Sequence, residues 1–80
     1  MLNKKYNIIS NNFKEFRKEK GFSQRELCQK LDLLGVTLYK ADIYAIEHNK
    51  RAVKDYELLA FSNVLEKPIS DFYKGFTFDT

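Results

Sequence analysis

Eighty residues with 44% hydrophobic and 31% charged side chains, among them seven Phe and five Tyr, describe a small globule and exclude a disordered tail. A chain this short buries only about 60% of its unfolded surface, which leaves no room for a second domain or a large active-site cleft. The net charge of +3 is unevenly divided: residues 1–54 hold twelve Lys or Arg against six Asp or Glu, giving +6, and residues 55–80 hold two against five, giving −3.

Met1 to Ser10 has two lysines and no apolar run long enough for a signal peptide, and no later segment suits a membrane span, so a cytoplasmic protein is expected. Tyr6, Ile9, Phe13 and Phe16 recur at three- and four-residue spacing, which predicts a first helix beginning between Asn7 and Ser10 with these four on its buried stripe. Gly21 ends it, because glycine takes the left-handed conformation of a helix terminus without a steric penalty. A second helix from Gln24 to about Asp32 follows at once. Ser23 and Glu26 have the Ser-x-x-Glu spacing of a capping box, with Phe22 and Leu27 placed as a hydrophobic staple. Leu27, Cys28 and Leu31 form its apolar face, so Cys28 reads as a small core residue, and a lone cysteine excludes an internal disulfide.

A third helix starts near Tyr39 or Lys40, with Ile43 and Ile46 inward and Lys40, Tyr44 and Glu47 on other faces. It ends at His48-Asn49, since asparagine tolerates the left-handed region better than most residues. Asp55 can cap a fourth helix carrying Leu58, Leu59, Phe61, Val64 and Leu65, with Glu57 in its first turn. Pro68 closes that helix and can open a short fifth one whose Ile69, Phe72 and Tyr73 fold back on the core. The expectation is one domain over residues 1–80, a compact all-α bundle of four to five short helices with its core at about 7–73. The remaining tail, 74–80, alternates weakly.

The run Phe16-Arg17-Lys18-Glu19-Lys20-Gly21-Phe22-Ser23-Gln24-Arg25-Glu26-Leu27, followed by Ile43-Tyr44-Ala45-Ile46-Glu47-His48-Asn49-Lys50-Arg51, resembles the phage-repressor-like (XRE/Cro-type) helix-turn-helix family in a longer-turn variant. The resemblance covers about Ile9 to Tyr73. It implies a lambda-repressor-like DNA-binding domain whose third helix lies in the major groove of double-stranded DNA, acting as a repressor-type transcriptional regulator and as a homodimer on a two-fold site. Carried over by residue, it implies a phosphate contact for Gln24, groove-facing roles for Tyr39, Lys40, Ala41, Tyr44 and Ala45, and phosphate contacts for His48, Lys50 and Arg51. It also implies a structural ion pair between Arg17 and Glu47. The basic first two-thirds of the chain fits a polyanionic partner of this kind.

Three features depart from the family pattern, one being that Asn49, Glu66 and Lys67 stand where the family commonly has glycine or apolar residues, which bears on helix ends more than on function. Twelve positions separate Leu31 from Ile43, so Leu33 to Leu38 reads as an inserted loop containing Gly35. Ala41, Asp42 and Ala45 are a poor set for reading bases, because alanine offers a methyl and a carboxylate is repelled by phosphate. The same scaffold could instead serve as a protein-interaction module, docking a partner through the apolar residues of Leu33 to Tyr39 or the Phe76-Phe78 tail. Other classes find little in the sequence. His48 is the only histidine and no second ligand stands at metal-binding spacing, so no metal is expected. No Ser-His-Asp set, paired carboxylates or glycine-rich phosphate loop is present, so no enzyme, cofactor or small-molecule substrate is expected.

Overall fold

The computed structural model describes residues 5–78, so the reading of Met1 to Ser10 as lacking a signal peptide, and the end of the 74–80 tail, lie partly outside the described residues. Four α-helices follow in order, α1 (Ser10–Glu19), α2 (Gln24–Asp32), α3 (Lys40–Glu47) and α4 (Asp55–Leu65), then a 3-10 helix (Ile69–Tyr73), with no strand among the described residues. The protein is a small all-α bundle.

All four α-helices stop by one device. A residue in the left-handed region follows each: Gly21 (φ 73°), Gly35 (φ 80°), Asn49 (φ 55°) and Glu66 (φ 56°). The next amide then reaches back across the last turn, Phe22 to the Arg17 carbonyl (3.2 Å), Val36 to Leu31 (3.1 Å), Lys50 to Ala45 (2.7 Å) and Lys67 to Ser62 (3.1 Å). These bonds satisfy carbonyls that a helix end otherwise leaves open. The expected loop at Leu33 to Leu38 is non-helical throughout, a turn over Leu33 to Gly35 and then an irregular stretch up to α3, and its Gly35 supplies the left-handed residue that stops α2. Leu38 then anchors that stretch in the core at 7% exposure.

The starts of α2, α3 and α4 follow a second rule, in which an acid three residues in accepts the amide of the cap, whereas at α1 the Ile9 amide donates to Asn7 Oδ1 instead. Ser23 and Glu26 form both halves of the box, with Ser23 Oγ accepting the Glu26 amide at 3.0 Å and Glu26 Oε1 accepting the Ser23 amide at 2.9 Å. At α3, Asp42 accepts the Tyr39 amide (2.9 Å), and at α4, Glu57 accepts the Lys54 amide (2.9 Å). Asp55 is therefore the first residue of α4 and not the cap that its residue type suggested. The Glu57 carboxylate, reaching back from the first turn, satisfies the amide at that junction instead.

Ile9, Phe13, Leu27, Leu31, Leu38, Ile43, Ile46, Ala60, Phe61, Leu65 and Phe72 form one buried cluster joining every helix. The Phe13 and Phe61 rings lie 4.5 Å apart, and Phe16 meets Phe72 edge-on at 5.1 Å. Several expected core positions fall outside it. Tyr6 precedes α1 and is 63% exposed, and Leu59, on α4 beside the turn that follows α2, is 61% exposed. Cys28 is half-buried, and Ile69 and Tyr73 stay largely on the surface because the fifth element is a tight 3-10 turn that aims only Phe72 inward. The described part of the tail, up to Phe78, is irregular: Asn12 Nδ2 donates to the Phe72 and Lys74 carbonyls (2.9 and 2.8 Å), and Phe76 packs edge-on against Phe78.

Candidate functional site

Lys40, Ala41, Tyr44 and His48 stand on the solvent side of α3, Ala45 is half-buried beside them, and Tyr39 is exposed just before the helix. Their spacing places Lys40 over Tyr44, and Ala41 over Ala45 and His48, as one continuous ridge. The ridge is ordered from within. Tyr44 and His48 stack with ring centroids 3.9 Å apart and planes 21° apart, and His48 Nδ1 sits 2.8 Å from the Tyr44 carbonyl. Donating there commits the proton to Nδ1 and leaves Nε2 for an outside partner. The Lys50 ammonium lies 5.9 Å from the Tyr44 ring, within cation–π range. Among the described residues neither Lys40 nor Lys50 has a carboxylate within ion-pair distance.

Behind the ridge, a buried polar network fixes α3 against α1 and α2. Arg17 Nε donates to Glu47 Oε2 at 2.6 Å and Nη2 to Oε1 at 3.1 Å, while Nη1 donates to the Phe22 carbonyl at 2.6 Å. Gln24 Nε2 adds a fourth bond, to Glu47 Oε1 at 3.2 Å. Glu47 is thus buried, not on an outer face. The first residue of α2 is thereby held at the C-terminal end of α3, so the start of α2 and the ridge of α3 are neighbours.

Arg51 is placed differently from the expected phosphate contact. Its fork is bidentate to Glu57, Nη1 to Oε1 and Nη2 to Oε2 at 2.9 Å each, with Nε 3.5 Å from Asp42 Oδ1. A guanidinium engaged with a carboxylate in this way is not available as a phosphate fork. Asp42 belongs to the same cluster, with Oδ1 3.5 Å from Arg51 Nε and its other oxygen capping α3, but one guanidinium shared by two carboxylates leaves the cluster net negative. Burial would raise the Glu57 carboxyl, but the Arg51 fork and the Lys54 amide outweigh it and hold the group below its ordinary range. A depressed folded-state value means that stability from Glu57 is fully present above about pH 4.3 and is lost as pH falls through the folded value. Glu57→Gln should therefore melt well below the wild type at pH 7, with the gap narrowing as the pH falls below the ordinary carboxylate range. A constant gap on acidification in thermal melts would show that Glu57 acts through shape alone.

A second support was not legible in the sequence. Asn49 Oδ1 accepts the amides of Tyr6 and Asn7 (3.0 and 2.9 Å), and Asn7 Nδ2 in return donates to the carbonyls of Ile46 and Arg51 (3.2 and 2.9 Å). This clasp ties the segment before α1 to the turn that carries His48 and Lys50. Asn49 therefore has two duties, a left-handed backbone and a side chain that satisfies two amides. Glycine would relieve the first by up to about 1 kcal/mol but orphan two donors at about 1 kcal/mol each. Asn49→Gly should lower stability by about 1 kcal/mol, whereas Glu66→Gly, whose carboxylate pairs only with Lys20 at the surface, should leave stability equal or higher. Denaturant melts of the two variants side by side decide this, and a more stable Asn49→Gly would show that the clasp contributes nothing.

The Cys28 thiol is pushed up by burial and then by the nearby Asp42 carboxylate, which disfavours the thiolate a nucleophile would need. Among the described residues no three His, Cys, Asp or Glu side chains gather as a metal site, and no helix is long and apolar enough to cross a membrane. No family model and no curated protein matches the chain.

Proposed function

We propose that this chain is a DNA-binding transcriptional regulator of the phage-repressor-like helix-turn-helix type, a repressor in a longer-turn variant, working on cytoplasmic DNA with α3 in the major groove. The observation that carries the reading is the α3 ridge itself: Lys40 and Lys50, two cations without acidic partners among the described residues, flank an aromatic stack on an exposed face, and that face is fixed from behind by Arg17, Glu47 and Gln24. An α-helix with its side chains is about 10–12 Å across, which the major groove is wide enough to admit. Lys40 and Tyr44 then probe base edges, Ala41 and Ala45 offer methyl contact and close approach, and Lys50 and His48 hold the backbone. The amides at the start of α2 add a phosphate contact beside Gln24. Arg51 serves by fixing the turn. A single ridge reads only a few base pairs, so two copies on a two-fold site complete the reading.

The test is binding of the purified chain to a duplex from its own upstream region and to a scrambled duplex, at low and at physiological salt. A steep fall in affinity with salt and preference for the native duplex are the expected results. The competing reading, a protein-interaction module on the same scaffold, draws on the exposed Leu33 and Leu34. It predicts no binding to either duplex at low salt.

A further inference from the structure

His48 is the chain's one histidine, and its ring is held in a set pose at the C-terminal end of α3. The ring stacks on Tyr44 at 3.9 Å, and Nδ1 lies 2.8 Å from the Tyr44 carbonyl, an oxygen that can only accept, so the proton of the neutral ring belongs on Nδ1. The neutral ring then turns a lone pair outward at Nε2. A phosphate oxygen is an acceptor too, and two acceptors repel. Moving the proton to Nε2 would forfeit the bond to Tyr44 and leave Nδ1 facing the carbonyl, acceptor against acceptor. Only the imidazolium makes both contacts, donating from Nδ1 to Tyr44 and from Nε2 to phosphate.

We infer that DNA binding by this chain is coupled to uptake of a proton at His48, so that its affinity for DNA rises as pH falls. The inference rests on the DNA reading and gives that site a regulation. The groups packed about this end of α3 leave the counter-charge to the DNA. Glu47 of α3 is occupied by Arg17 of α1 and Gln24 of α2, and Arg51 of the following turn is engaged by Glu57 of α4 and Asp42 of α3. Lys50 of that turn stands over the Tyr44 ring and opposes a second cation, and Tyr6, before α1, reaches the turn through its amide on Asn49. Among the described residues no carboxylate lies within ion-pair distance of His48. The free protein thus offers the imidazolium a helix C-terminus and no carboxylate, and a DNA phosphate supplies the missing anion. Coupling of this kind is reciprocal: a phosphate that favours the protonated ring is bound more tightly once the ring is protonated. Histidine side chains change charge between about pH 5 and 8, so the coupling acts near neutrality.

The test is the affinity of the full chain for a scrambled duplex at about pH 5.5 and about pH 7.5, at one low ionic strength, since a phosphate contact does not depend on sequence. The wild type should bind roughly tenfold more tightly at the lower pH, and its slope of log affinity against log salt should be steeper there by about one. His48→Lys, a cation at both values, and His48→Gln, a cation at neither, should each bind alike at the two pH values, with the lysine variant the tighter. Both variants lose the stack on Tyr44, so the difference between them reads charge and not shape. A wild-type affinity that does not change with pH, or variants that follow the wild type's pH dependence, would overturn the inference. So would an affinity that falls in acid, the sign expected if a base amino group donates to the neutral ring. Each of these leaves the DNA reading standing, whereas no binding at either pH removes that reading and the inference with it.

Discussion

Glu47→Leu is expected to lower stability by about 3–5 kcal/mol, a large share of the roughly 5–15 kcal/mol that holds a small domain together. The reason lies in what the substitution leaves behind. Arg17 has two bonds to the Glu47 carboxylate, and its side chain is only 11% exposed, so removal of the carboxylate strands a guanidinium in the interior. A guanidinium cannot shed its charge. Arg17→Met strands the opposite charge, a carboxylate 1% exposed, and should cost a comparable amount. The double substitution, Arg17→Met with Glu47→Leu, should return most of the stability, because a well-packed apolar pair replaces a buried ion pair at little cost. Urea melts of the four proteins at pH 7 measure all of this. Single-variant effects under about 1 kcal/mol would mean that the pair is solvated and that α3 is held by packing alone.

The second large effect concerns the ridge. Lys40 and Lys50 are exposed and unpaired among the described residues, so neither contributes measurably to folding, and the double reversal Lys40→Glu with Lys50→Glu should leave the melt unchanged. Duplex affinity should fall roughly a hundredfold at low salt, and the slope of log affinity against log salt should shrink by about one for each phosphate that the variant no longer neutralises. The single variants separate the roles. Lys50→Ala weakens cognate and scrambled duplexes alike, whereas Lys40→Ala relaxes the preference between them. An unchanged affinity for the double reversal would remove α3 as the binding surface, whatever else the protein touches.

The parts of this protein readable from sequence are those governed by neighbours in the chain. The bounds of α2, the stop at Gly21, the turn at Asn49 and the capping box at Ser23 and Glu26 all follow from interactions spanning a few residues, where spacing and φ preference suffice. The inward sets Leu27 and Leu31, and Ile43 and Ile46, follow likewise from helical period. The pairing of Arg17 with Glu47, thirty residues apart, was reachable only through the family resemblance, because nothing local marks a long-range partner. What tertiary structure alone decided is the use of polar side chains once distant segments met. Arg51 looks like a free basic loop residue until α4 brings Glu57 to it, Asn7 has no visible purpose until it meets the turn at Asn49, and Leu59 shares the helical apolar pattern of α4 yet stays exposed beside the turn that follows α2. Period and propensity fix where a helix runs. Which of its charges are free, and which apolar face lacks a partner, depends on what the rest of the chain has already covered.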